Sequence, residues 1–134
     1  MTDSPLQILK REIGHFQEWQ NQNPSQMWDD YDWAEIYRAF GRFAQAVPFQ
    51  KWGLETTKLV LYAIARDHEA EHLAEEVAKD PLLLLFLAQA SLATDDSEAK
   101  WLLAAQLGEL PEYASQSEPI LIKLVEDGRL VKDG

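Results

Sequence analysis

Residues 68–72 read His68-Glu69-Ala70-Glu71-His72, a match to the H-E-x-x-H pattern of zinc metalloproteases. On one continuous helix the two imidazoles stand a turn apart and can share a zinc ion, while Glu69 serves as general base toward a metal-bound water. The chemistry implied is metal-dependent hydrolysis. It also requires a cleft, a third ligand and an uncharged motif interior, whereas Arg66, Asp67 and Glu71 place charges in and beside the motif. Helical phase points the same way. Ala70, Leu73, Ala74 and Val77 form the apolar stripe, so at about 100° per residue His68 and His72 fall on the opposite, wettest face. The expectation is a solvated helix face. On it His68, His72 and Glu75 (or Glu76) form one ridge that could capture zinc or nickel at the surface without chemistry. His15, the third histidine, has no motif around it.

Other residue types narrow the chemistry further. The chain has no cysteine, which removes disulfides, thiolate zinc sites and cysteine nucleophiles together. Its six glycines do not cluster into a phosphate loop, and no G-x-S-x-G elbow occurs. No catalytic residue and no cofactor is therefore expected. Two constellations suit binding instead. Glu71, Glu75, Glu76 and Asp80 form an acidic run that reads as a solvated face or as a docking edge for lysine and arginine. In MWDDYDWAEIYRAFGRF, residues 27–43, aromatic side chains alternate with acids. Helical spacing sends Trp33, Tyr37 and Phe40 to a core, and one of Asp29, Asp30 or Asp32 must cap the helix. Trp28 and Tyr31 lie before or at its start, where exposed rings among acids would anchor a basic protein surface.

The elements that carry these residues read as helices almost throughout. Ser4-Pro5 starts the first, with Leu6, Leu9, Ile13 and Phe16 on one face, and NQNPS at 21–25 breaks it. A second runs over about 30–46 until Val47-Pro48 ends it. The third, over about 54–66, contains TKLVLYAIA, apolar nearly all round and so expected to be central and buried. The fourth and sixth both begin D-x-E-A-x-x-L, at Asp67 and Asp96. The fifth and seventh both begin with an acid and a proline, Asp80-Pro81 and Glu118-Pro119, followed by an aliphatic run. Two helix-pair units over 67–94 and 96–127 follow, the sequence signature of a stacked α-solenoid. In this alignment Trp101 takes the position of His72, as an exposed ring or as one packed on the neighbouring unit.

The segment DDSEAKWLLAAQLGEL followed by SEPILIKLVEDG resembles a HEAT-type repeat, an outer helix with small residues preceding an inner helix rich in leucine and isoleucine. YAIARDHEAEHLAEEV is similar to the preceding unit in small bacterial HEAT-like proteins. The resemblance covers about the C-terminal half. It implies a protein-binding scaffold without catalytic residues of its own.

The 134 residues suit one all-α domain, a right-handed stack of about seven helices with aromatic-rich helices over 1–66 and HEAT-like pairs over 67–134. Twelve Lys and Arg face 23 Asp and Glu, a net charge of −11 that repels nucleic acid and anionic lipid and attracts basic proteins. No secretory signal is visible in MTDSPLQILKREIG, and the apolar run 82–93 is shorter than the ~20 residues a bilayer needs. The expectation is a cytoplasmic, non-enzymatic, acidic binding module for a basic protein, an adaptor or an immunity-type neutraliser, with Trp28, Tyr31, Glu71, Glu75, Glu76 and Trp101 at its binding surface. The alternatives are a hydrolase using His68, Glu69 and His72, and a structural subunit that only oligomerises.

Overall fold

Capping signals and apolar spacing lay down helices along the whole chain. A computed structural model describes residues 3–67, 70–94 and 96–132, with 124, 125 and 127–132 in backbone only. Among the described residues there are seven α-helices and no strand. They are α1 (Pro5–Gln22), α2 (Ala34–Ala46), α3 (Leu54–Arg66), α4 (His72–Ala78), α5 (Pro81–Ser91), α6 (Ser97–Leu107) and α7 (Ala114–Lys132), with short 3-10 turns at Trp28–Asp30, Phe49–Lys51 and Pro111–Tyr113. None of these helices is long and apolar enough to cross a membrane.

The chain divides into two compact units, Met1–Gly53 and Leu54–Gly134. The sequence reading grouped 54–66 with the N-terminal helices. The structure instead gives α3 to the second unit, where it packs on α4, α5 and α6. Its nearly continuous apolar surface explains the choice. Val60, Leu61, Ala63, Ile64 and Ala65 are all buried, which takes several neighbours rather than one.

In the first unit α1 and α2 pack together. Ser4 caps α1 in a reciprocal box: its hydroxyl accepts from the Gln7 amide at 3.2 Å, and its own amide donates to Gln7 Oε1 at 2.8 Å. Leu9, Ile13 and Phe16 are buried, as their spacing predicts. α2 starts at Ala34, not at about 30, with Trp33 at its N-cap and no side-chain cap there. The expected aspartate cap is replaced by a turn before the helix, in which Asp32 Oδ1 accepts from the Ala34 amide at 3.1 Å. The α2 stripe is Ile36, Ala39, Phe40 and Phe43, preceded by buried Trp33, while Tyr37 is only half-buried. Both buried tryptophans donate from the indole to a carbonyl five residues back, Trp33 to Trp28 at 2.8 Å and Trp52 to Val47 at 2.9 Å. Each indole thus satisfies its N–H and closes the loop that leads into it.

In the second unit neighbouring helices pack in order, α4 on α5, α5 on α6 and α6 on α7, with α4 on α6 and α5 on α7 one step further along. Asp80 and Asp96 cap α5 and α6 as expected, each accepting from the third residue of its helix at 3.4 Å. Two expected helix starts are corrected. α7 begins at Ala114, not at Glu118-Pro119, so Pro119 lies inside the helix. A 3-10 turn feeds straight into α7, and Pro119 then costs one backbone hydrogen bond in the second turn rather than opening the helix.

The second correction concerns the histidine motif. α4 begins at His72, five residues after Asp67. The Asp67 amide still donates to Ala63 and Ile64 carbonyls, so Asp67 belongs to the end of α3. Asp67 is 3% exposed, and its carboxylate reaches forward and accepts from the Leu73 amide at 2.8 Å. Ala70, expected in the apolar stripe, is exposed, whereas Leu73, Ala74 and Val77 are buried.

Glu71 makes the turn into α4 with φ 55° and ψ 23°, in the left-handed region. A Cβ in that conformation costs about 1–2 kcal/mol, against about 0.5–1 kcal/mol of extra chain entropy lost by glycine. Glu71→Gly is therefore expected to raise the unfolding free energy by up to about 1 kcal/mol. A urea midpoint at or below that of the unmodified protein would show that the turn is not held this way in solution.

Candidate functional site

Of the histidine motif, only His72 lies on α4 among the described residues. His68 and Glu69 lie outside the described residues, and the left-handed Glu71 separates them in sequence from α4. Of the proposed ridge, His72, Glu75 and Glu76 are described on α4, the first two exposed and Glu76 half-buried. Among the described residues no three His, Asp or Glu side chains come together in a group that could hold a metal ion.

The acid just before the motif takes part in joining helix ends. Asp67 links the end of α3 to the start of α4. Arg66, the last residue of α3, donates from Nη1 to Asp96 Oδ2 at 2.7 Å, so the N-cap of α6 is tied to the same corner. The guanidinium lies 4.1 Å over the Tyr62 ring, one turn back on α3. The Asp67 and Asp96 positions that align in the repeat thus serve different ends. Asp96 caps its own helix and pairs with Arg66, while Asp67 caps the next helix six residues on.

The acidic run lies on α4 and its flanks. Glu75 and Asp80 are exposed, and Glu71 and Glu76 are half-buried. Glu76 Oε1 accepts from Lys79 Nζ at 3.0 Å. An exposed pair of this kind is worth little and is weakened by salt, so Lys79 leaves most of the local negative field in place.

The three aromatic candidates separate clearly. Tyr31 is half-buried among Phe16, Trp19 and Trp33, with ring centroids 5.2, 5.3 and 6.2 Å away. Burial first, then the charges of Glu12 and Asp32, push its phenol above the usual tyrosine range, so it stays protonated. Trp28 is half-buried in its 3-10 turn, where its carbonyl receives the Trp33 indole. Trp101 is 53% exposed on α6 and is the one candidate ring that stands out into solvent. Its neighbours along the helix face, Glu98 and Ala105, were not singled out by the sequence. The signal lay in the alignment of Trp101 with the wet position of His72.

No protein-family model, curated protein or solved structure matches the chain.

Proposed function

We propose that the chain is a non-enzymatic, acidic protein-binding module whose partner presents a basic surface, as an adaptor or an immunity-type neutraliser does. The observation that carries this reading is the placement of charge. Residues 54–134 hold sixteen Asp and Glu against seven Lys and Arg, while residues 1–53 hold seven against five. Nine of the eleven net negative charges thus belong to the second unit. A field concentrated on one helical unit steers a basic protein toward it and turns nucleic acid away. The successive packing of α4 through α7 supports a HEAT-like stack of helix pairs as the scaffold.

The test starts with a pull-down from the source organism, followed by surface plasmon resonance with the protein recovered. The on-rate should fall markedly as salt rises, because exposed charges are screened beyond about 8 Å at physiological ionic strength. Changing Glu71, Glu75 and Glu76 together to lysine should lower the on-rate further at low salt. An acidic partner, or an on-rate indifferent to salt, would leave the charge as a device for solubility.

A further inference from the structure

The outward face of α6 carries one large side chain. Ser97, Glu98, Trp101, Ala105 and Gly108 follow each other at helical spacing and are all exposed. Trp101 therefore stands with Ser97 and Glu98 one turn before it and only Ala105 and Gly108 after it, so nothing bulky on this face of its own helix covers the indole. The surroundings are negative. Between Asp96 and Glu118 the acids Glu98, Glu109 and Glu112 are exposed, and Lys100 is the sole base. Exposed tryptophan is unfavourable in water and is the residue most enriched where binding energy concentrates. An open indole face beside a carboxylate suits a planar cation, since the ring quadrupole attracts the guanidinium while the carboxylate accepts its N–H groups.

We infer that this face of α6 is a receptor for an arginine-bearing segment of a basic protein, with the guanidinium on the Trp101 indole and Glu98 as its counter-ion. The inference rests on the acidic-module reading and goes beyond it by placing the contact and naming the side chain received. Charge complementarity selects the occupant: a second copy of this chain would bring a like-charged surface to the same place. Glu109 and Glu112, just beyond the helix end, would receive a second basic residue of the same segment. Glu98 and Glu109 are about 16 Å apart along the helix direction, roughly five residues of extended chain.

The probe is a capped twelve-residue peptide alternating arginine and alanine, titrated into the full chain by calorimetry at low and at physiological salt. A lysine counterpart serves as comparison. The arginine peptide should bind more tightly than the lysine one, because a guanidinium stacks on the indole and an ammonium does so less well. Trp101→Ala should weaken binding by about tenfold or more, and Glu98→Gln by a few-fold. Ala105→Arg keeps the tryptophan and adds bulk on an exposed position, and it too should weaken binding about tenfold by covering the indole from one turn away. Leu82→Ala, which removes an exposed apolar side chain on α5, should bind as the unmodified protein does. If the peptide binds with salt dependence but Trp101→Ala and Ala105→Arg bind it equally well, the α6 receptor is overturned and the acidic-module reading stands. If neither peptide binds at low salt, both fall.

Discussion

Phe16→Ala is expected to lower the unfolding free energy of the N-terminal unit by about 3–5 kcal/mol. Phe16 is wholly buried, and its ring centroid lies 4.8 Å from Trp33, 5.2 Å from Tyr31 and 6.1 Å from Trp19. Truncation removes the shared partner of three other rings, so the loss includes their edge and stacking contacts as well as the transfer of the benzyl group. A unit of this size has only a few kcal/mol to lose, so the variant should approach unfolding at room temperature. Urea denaturation followed by near-ultraviolet circular dichroism reads the effect, because the signal comes from the packed aromatic side chains. A loss below about 1 kcal/mol would mean that the cluster is peripheral.

The second large effect is expected within a single run of leucines on α5. Leu84→Ala and Leu87→Ala should each cost about 2–5 kcal/mol, while Leu82→Ala should change stability by no more than about 0.5 kcal/mol. Leu84 and Leu87 are completely buried, whereas Leu82 is 54% exposed. The surrounding packing is what makes the cost high. α5 meets α3, α4, α6 and α7, so a cavity at Leu87 is walled on several sides and cannot collapse fully. Equal costs at Leu82 and Leu87 would show that α5 is rotated about its axis relative to this arrangement. Ile120 on α7, 9% exposed, belongs with the buried pair, and Leu124 lies outside the described side chains.

How far the sequence could be read depends on the range of the forces involved. Ser4-Pro5 and Asp80-Pro81 start helices as read, because a cap and a first-turn proline act within four residues of each other. Val47-Pro48 ends α2 for an equally local reason, the clash that drives the residue before proline into extended geometry. The same local logic misplaced the start of α4. Asp67, Glu69 and Ala70 have the letters of a helix start, and the copy at Asp96 is one. Asp67 nevertheless finishes α3, since its amide is still bonded backward and its carboxylate finds the Leu73 amide six residues ahead. Pro119 misled in the same manner: an acid-proline pair is compatible with a helix start but does not compel one.

The candidate binding residues show the same division. Tyr31 stands between Asp30 and Asp32, and Trp101 follows Glu98 by three residues, and neither local context tells which ring is covered. Tyr31 is drawn in because α1 brings Phe16 and Trp19 against it, whereas no described neighbour covers more than half of Trp101. By itself the sequence determined the helical class, the bounds of α1 and α3, the end of α2, the start of α5, the burial of α3 and the strong negative charge. These follow from caps, prolines, apolar periodicity and ionisable side chains, each acting over a turn or two, or, for the charge, by simple addition. Only the tertiary structure decided that α3 joins the second unit, that Asp67 turns inward to serve the next helix, that Arg66 reaches Asp96 and that Trp101 alone among the candidate rings faces solvent. Each of these depends on which helix face meets which, and burial is a property of the meeting surfaces that neither segment carries alone.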